Sequence, residues 1–261
     1  MKFRIVTLIS LLAFMGTLLP NHANAQGQKQ QVIRFKTQVK PNSDERINLV
    51  MTPKVGEKGV QIDGCELVKL DKGEAWKVTK SWITITGPVT QFDCNLSAID
   101  SITFENPESL QELIVETNKM SVLNLTGMKS LTYLGASATD IREINLTGCT
   151  SLKQIQCNGS KLVKINLTAA TNLEKASLTL SSLSELDLTG LTKLKELDLN
   201  NNGISKIDLK NLPALESVVL SYNPIDAVSF SSCPKLEVIS IKNKLKDSRL
   251  TSFTAVGLPA L

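Results

Sequence analysis

The chain has 261 residues, of which 42% are hydrophobic, 21% are charged and only 4% are aromatic. This length and apolar content suffice for a sizeable buried core. The formal net charge of +4 is too small to indicate a surface that binds nucleic acid or an anionic membrane.

Residues 1–25 have the three parts of a secretory signal peptide. Two basic residues precede an apolar segment from Ile5 to Leu19, and Ala23-Asn24-Ala25 fits the small-x-small rule for cleavage. We therefore expect an exported protein, extracellular, at the cell surface or periplasmic, whose mature chain begins at Gln26. No later stretch is long or apolar enough to span a bilayer, so we expect no membrane span in the mature chain.

Residues 26–87 are expected to form a small β-domain. Short extended runs alternate there with segments rich in turn residues. The runs are Val32–Thr37, Ile47–Met51, Gly59–Asp63, Ala75–Thr79 and Trp82–Thr86. The first coil of a repetitive structure must have its apolar end covered, so this domain is predicted to cap the segment that begins at residue 88.

Residues 88–261 repeat every 21 residues, which predicts a solenoid. Positions 2, 5 and 7 of each copy are apolar, and positions 12, 15 and 17 are apolar again. In the copy that begins at Lys193 these residues are Leu194, Leu197, Leu199, Ile204, Ile207 and Leu209. Each copy is therefore expected to be a flattened coil with two short extended runs, and position 20 adds another inward residue.

Two further positions of the repeat are expected to shape the bends. Position 19 suits a turn with positive φ, and it holds Gly127, Gly148, Gly190 and Asn211. Position 10 is small and polar, and it is expected to bond the backbone at the bend. The residues at position 10 are Asn118, Thr139, Ser160, Ser181, Asn202 and Asn223.

The doubled L-x-x-L-x-L pattern over 21 residues resembles the leucine-rich repeat family, in particular the bacterial internalin-like or IRREKO-type subclass. The segment before the repeats, and in particular the lead-in Ile83–Cys94, is also similar to that of exported leucine-rich proteins of the Bacteroides-like kind. The resemblance to leucine-rich repeats covers residues 88–261. It implies a mainly β solenoid of about eight coils with short parallel strands, and a protein that binds other proteins in adhesion or at a host surface.

The eighth copy begins at Lys235 and regains the pattern only after four inserted residues within 243–249. Leu250, Phe253, Ala255 and Leu258 then occupy positions 12, 15, 17 and 20. No polar C-terminal cap is visible. This leaves open whether the last coil ends on an exposed edge or the chain stops short of its cap.

The five cysteines all lie beyond the signal peptide. Cys94, Cys149, Cys157 and Cys233 occupy the apolar positions 7 and 20, so we expect buried free thiols that act as small hydrophobic side chains. Cys65 and Cys94 form the one pair for which a disulfide is worth testing.

Catalytic chemistry, cofactors and metal sites are not expected. Cleavage removes His22, the only histidine, which excludes a Ser-His-Asp or Cys-His arrangement. Neither a C-x-x-C pair nor a phosphate-binding glycine loop occurs. Two carboxylate pairs, Glu112 with Glu116 and Glu196 with Asp198, lie four coils apart and are interpreted as parts of a solvated polar face.

The outward residues of the first extended run, at positions 4, 6 and 8, are the candidate binding surface. A protein ligand is the leading hypothesis, and a glycan or a role in scaffolding the cell envelope is the alternative. The candidate residues are Asp93, Asn95, Glu112, Glu116, Tyr133, Gln154, Gln156, Asn158, Lys175, Glu196, Asp198 and Lys242. On the second run, Asn-x-Thr or Asp-x-Thr at positions 16 to 18 is expected to form polar ladders between coils.

Overall fold

The computed structural model describes residues 29–53, 55–71, 73–242 and 252–256. The expected signal peptide and the inserted loop at 243–249 lie outside these ranges, as do Leu250 and Leu258. The described residues form strands, turns and bends but no helix. No helix among them is therefore available to cross a membrane.

Seven strands precede the repeats. They are β1 (Val32–Thr37), β2 (Arg46–Ile47), β3 (Val50–Thr52), β4 (Gln61–Asp63), β5 (Cys65–Leu70), β6 (Gly73–Val78) and β7 (Trp82–Thr86). The run expected at Ile47–Met51 is divided, because Ser97 of the first repeat bonds both backbone groups of Asn48. The strand β5, which was not expected, pairs with β6 as an antiparallel hairpin.

The repeats supply the remaining strands, and we number their coils 1 to 8 from Pro88, Ser109, Ser130, Ser151, Asn172, Lys193, Ala214 and Lys235. These strands are β8 (Gln91–Asp93), β9 (Ile99–Glu105), β10 (Glu112–Ile114), β11 (Val122–Asn124), β12 (Tyr133–Gly135), β13 (Glu143–Asn145), β14 (Gln154–Gln156), β15 (Lys175–Ser177), β16 (Glu196–Asp198), β17 (Lys206–Lys210), β18 (Ser217–Val219), β19 (Ala227–Ser231), β20 (Val238–Ser240) and β21 (Ser252–Val256).

The first strands of all eight coils join into one continuous parallel ladder. Each residue pairs with the residue 21 positions later, so that Glu112 lies beside Tyr133 and Leu134 beside Ile155. The leucine at position 2 is buried in every coil from coil 2 onward, and positions 7 and 20 are fully buried from coil 2 to coil 6. The predicted solenoid with an unbroken aliphatic interior is confirmed.

Antiparallel strands of the N-terminal segment pair with both strands of coil 1. The strand β3 pairs with β8 and becomes the ninth strand of the main sheet, while β1 pairs with β9. The ring centroids of Phe35 and Phe92 lie 5.9 Å apart, and a single hydrophobic core runs from the N-terminal segment into the repeats. Main-chain groups that would otherwise form an open sheet edge are thereby paired.

The polar side chains at position 10 form hydrogen bonds with the backbone at the bends, as expected. The side-chain amide of Asn118 donates to the carbonyls of Cys94, Val115 and Glu116, while its oxygen accepts the Ile99 N–H. Asn118 therefore ties coil 2 to coil 1. The shorter Ser160 donates to Cys157 within its own coil and meets Ser181 at 3.1 Å, without reaching a carbonyl of coil 3.

The second ladder is interrupted in the middle of the solenoid. The strand β11 pairs with β13, and β17, β19 and β21 pair together, but residues 164–166 and 185–187 form no strand. Coil 4 has Ala169 at position 19, and Ala169 does not adopt the positive φ of Gly148 and Gly190 in the neighbouring coils. Leu186, at an otherwise buried position, is partly exposed there.

The polar residues at positions 16 to 18 of coils 2 to 5, which were expected to bond between coils, bond within their own coil. A bond between coils does occur at position 16 further along, where the Ser229 hydroxyl of coil 7 donates to the Asp208 carboxylate of coil 6 at 2.6 Å. The Asn124 side-chain oxygen accepts the backbone N–H of Thr126 at 3.1 Å and its hydroxyl at 2.6 Å, both within one coil. Asn166 binds Thr168 in the same way. Asparagine readily makes such bonds two residues along the chain, and here they begin the turn that follows the second extended run.

The register expected for coil 8 is confirmed. The strand β21 lies parallel to β19, with Phe253 beside Val228 and Ala255 beside Phe230. Because Val228 and Phe230 occupy positions 15 and 17 of coil 7, the strand after the insertion resumes the repeat at the same positions.

All five cysteines are buried free thiols, and Cys65 does not pair with Cys94. Burial raises the pKa of Cys65 to about 12, helped by the charge of Asp63, and burial raises the pKa of Cys149 to about 11. Burial also raises the pKa of Cys94, Cys157 and Cys233.

We expect a thiol reagent at pH 8 to label none of the five cysteines in the native protein and all five after denaturation. Folded pKa values above the ordinary thiol value favour the neutral form. The unfolded thiols therefore ionise at a lower pH than the folded ones. The contribution of the buried thiols to stability is complete below the ordinary thiol pKa and is lost as the pH rises through the folded pKa values. Rapid labelling of the native protein would contradict this burial.

Candidate functional site

The candidate residues share one surface, the first-strand face, formed by the outward side chains at positions 4, 6 and 8 of coils 1 to 8. The inward residues at positions 5 and 7 alternate with them and are buried in coils 1 to 7. Three of the candidates, Lys175, Glu196 and Lys242, are exposed. The other nine are partly exposed, namely Asp93, Asn95, Glu112, Glu116, Tyr133, Gln154, Gln156, Asn158 and Asp198.

A cluster around Tyr133 joins coils 2, 3 and 4. The Tyr133 hydroxyl donates to the side-chain oxygen of Gln156 at 2.9 Å. A Cβ at Gly135 would lie 3.2 Å from the Glu116 carboxylate and 3.3 Å from the tyrosine ring, so glycine lets these two side chains close over β12. Partial burial and the carboxylates of Glu116 and Glu112 raise the pKa of Tyr133, which keeps its hydroxyl a donor.

Ion pairs cross the coils further along the face. The Lys175 ammonium lies 2.6 Å from the Glu196 carboxylate, and at the rim Lys195 lies 2.7 Å from Glu174. The hydrogen bond between Lys195 and Glu174 lowers the pKa of Glu174 and raises that of Lys195. The charges on this part of the face are therefore already oriented before any partner binds.

Some candidate side chains also accept hydrogen bonds from the backbone. The Asp198 carboxylate accepts the N–H of Asn200 at 2.9 Å, and Asp93 accepts that of Asn95 at 2.8 Å. Asn158 accepts bonds from Ser177 and Thr179 of the next coil. These side chains shape the bend after the strand, so only part of each is available to a ligand.

The two carboxylate pairs do not form one site. Glu112 and Glu116 lie beside Tyr133, whereas Glu196 and Asp198 line a groove of about 530 Å³ over coils 4 to 8. Four strand spacings separate the pairs by about 19 Å. That distance exceeds the roughly 5 to 9.5 Å between the carboxyl groups of glycosidases, so the two pairs cannot act on one glycosidic bond.

The structure adds one feature that the sequence did not reveal. The Arg34 guanidinium lies over the Trp82 ring, 5.7 Å from its centroid, beside a cleft of about 460 Å³ between β9 and β11. The bounds of β1 and β7 match the predicted runs, but their antiparallel pairing, which places Arg34 near Trp82, has no periodic signal. Among the described residues no group of three or more His, Cys, Asp or Glu could hold a metal ion.

Comparison with known protein families identifies part of the 21-residue repeat. Residues 192–230 match the family model described as leucine-rich repeats in two copies. This match covers two of the eight coils, and together with the 21-residue register of the ladder it supports a solenoid of leucine-rich repeats. No curated protein sequence matches the chain.

Two solved structures are similar to parts of the chain. The functional domain of InlJ from Listeria monocytogenes, which includes a cysteine ladder, is 16% identical over 64% of this chain and 56% of that one, with a TM-score of 0.38. YopM from Yersinia enterocolitica WA-314 is 18% identical over 66% of this chain and 40% of that one, with a TM-score of 0.44. The chain thus spans less than two thirds of either structure.

Proposed function

We propose that this protein is exported, has no catalytic activity and binds another protein through the first-strand face. The observation that carries the proposal is the unbroken nine-stranded sheet, which sets the outward residues of eight coils side by side. Three outward positions in each coil give about 24 side chains, similar to the 20 to 30 residues on one side of a standard protein interface.

The contacts between coils support a preorganised surface. Lys175 with Glu196 and Tyr133 with Gln156 are already held across neighbouring strands. Binding to side chains that are already held costs less conformational entropy than binding to side chains that must first be ordered. The acidic groups of coils 2 and 6 suit a partner that carries basic groups about 19 Å apart.

The proposal of export rests on the composition of residues 1–25, and the proposed adhesive role rests on the family resemblance alone. The proposal of a non-enzymatic role rests on the absence of histidine after residue 22 and on the separation of the carboxylate pairs. A mature protein without histidine lacks the commonest general base.

The test is affinity capture of exported and cell-surface proteins with a variant of the face. The variant carries Glu112→Gln, Glu116→Gln, Glu196→Gln and Asp198→Asn, since amides keep the backbone bond that Asp198 makes. We expect the captured protein to bind the variant at least ten times more weakly, because at least about 1.4 kcal/mol of charge-dependent binding is lost.

A matched control removes the same charge elsewhere. Glu66, Glu108, Glu143 and Glu185 are exposed and lie off the first-strand face, and their fourfold change to Gln should leave capture unaltered. If the face variant bound the partner as well as the control does, the choice of this face would be wrong.

A further inference from the structure

Trp82 has an unusual position for a residue of its size. Of the two tryptophans, Trp76 is 9% exposed and donates its indole N–H to the Leu49 carbonyl, whereas Trp82 is 41% exposed. Arg34 is held over its ring at 5.7 Å. An indole that stays partly in water while a cation orients it is a ready contact surface, since tryptophan and arginine are the side chains most enriched where binding energy concentrates.

A cleft beside Trp82 separates two strand edges. The strand β9 pairs with β1 on one side only, and β11 pairs with β13 on one side only, so the facing edges of β9 and β11 form no ladder. They are joined where the second runs begin, by the bond from Lys119 N–H to the Ile99 carbonyl. The cleft of about 460 Å³ lies within the usual size range for small ligands, roughly 300 to 1,000 Å³.

The lining combines planar polar groups with the indole. Arg34, Thr103, Glu105, Asn124 and Thr126 line the cleft, and Ile102 and the partly buried Phe104 supply apolar lining. The Asn124 oxygen is already bonded by Thr126, which fixes the amide plane and leaves the amide N–H₂ as an oriented donor. One guanidinium and one carboxylate give the cleft a balanced charge, which favours a neutral ligand over an ionic one.

A sugar ring has the complementary chemistry. Its C–H faces pack on an aromatic ring, and its hydroxyls both donate and accept, which suits a carboxylate, an amide and a guanidinium at the rim. We propose that this cleft, formed by Trp82, Arg34, Glu105 and Asn124, binds a neutral sugar unit of a glycan. The site lies on the second strands of coils 1 and 2, away from the first-strand face, and is independent of the proposed protein interface.

The two tryptophans allow a direct test, because a Trp76→Phe variant leaves Trp82 as the one source of tryptophan fluorescence. This variant is titrated with cellotetraose, chitotetraose, mannotetraose and maltotetraose. We expect at least one of them to protect Trp82 from acrylamide quenching, with a Kd below about 1 mM. If none protects Trp82 at 10 times that concentration, about 10 mM, the proposal is overturned.

Calorimetry with substituted proteins then locates the binding. Trp82→Ala is expected to weaken the sugar at least tenfold, and Asn124→Ala at least about fivefold through the lost donor. Lys40→Ala, in the segment after β1 and outside the cleft, is the matched control and should bind normally. Thermal unfolding of each variant verifies folding, and Asn124→Ala keeps the test valid should Trp82→Ala unfold.

The two proposals fail in different ways. Sugar binding that survives both Trp82→Ala and Asn124→Ala overturns the cleft as the site. If Trp82→Ala instead abolishes capture of the protein partner and no sugar binds, the cleft is a protein contact and the glycan proposal is wrong. The fourfold face variant should bind sugar normally, so its loss of protein capture alone would support the first-strand face without bearing on the cleft.

Discussion

Replacing Leu134 by Ala is expected to lower the free energy of unfolding by about 2 to 5 kcal/mol. Leu134 is fully buried in β12 and lies in register between Leu113 and Ile155 of the neighbouring coils. The substitution removes buried methyl groups and leaves a cavity in the middle of the stack, where coils on both sides hold the backbone in place and limit its collapse. Urea denaturation followed by circular dichroism measures the loss.

Val163→Ala is the matched control for Leu134→Ala. Val163 also lies in a central coil but is 53% exposed, so its truncation should change stability by less than about 0.5 kcal/mol. Equal stability of the two variants would show that Leu134 is not in the interior and that the register of the ladder is different.

Replacing Asn118 by Ala is expected to cost at least about 2 kcal/mol, although the residue is polar and small. The side chain is 1% exposed and is the acceptor for Ile99 N–H and the donor to three carbonyls, two of its own coil and one of coil 1. Alanine would leave these groups buried without this partner. Thermal and urea unfolding measure the effect.

The repeat itself supplies the comparison for Asn118. Ser160 bonds its own coil but not a carbonyl of coil 3, so Asn118→Ser should lose less stability than Asn118→Ala. Ser160→Asn should raise stability by about 1 kcal/mol, because asparagine there adds the bonds to the preceding coil that Asn118 and Asn223 make. An Asn118→Ala protein as stable as the parent would show that position 10 does not tie the coils together.

The period of the sequence was enough to predict the solenoid. Each half of a copy has three apolar residues at fixed spacing, and only a stack of coils in register buries all of them. Leu194, Leu197 and Leu199 are an example, since all three are buried. The strand after the insertion was placed by the same logic, through Phe253 and Ala255. Local turn chemistry predicted the positive φ of Gly127.

Other features depend on contacts that no period encodes. The pairing of β3 with β8 and of β1 with β9 joins segments that are far apart in the chain, and alternation of side chains does not specify a partner strand. The second ladder is interrupted in coils 4 and 5, whose apolar pattern is intact, so the pattern does not predict the interruption. The contact of Arg34 with Trp82 arises only once β1 and β7 are paired.

The outward placement of the candidate residues could be predicted, but their contacts could not. Alternation along the strand identifies which side chains face outward, and the structure places all twelve candidates on the first-strand face. The sequence does not show that Asp198 and Asn158 also bond the backbone, because those contacts depend on the bend after each strand. It also does not show that Glu116 and Tyr133 close over Gly135.

Hydrogen–deuterium exchange with peptide-level mass spectrometry tests the central claim, that successive 21-residue coils form one rigid and continuous ladder. Amides of the first strands, such as 112–114, 133–135 and 196–198, should exchange slowly, whereas residues 164–166 and 185–187, which form no strand, should exchange quickly. Fast exchange throughout the first strands, or equal protection of both halves of coils 4 and 5, would contradict the account.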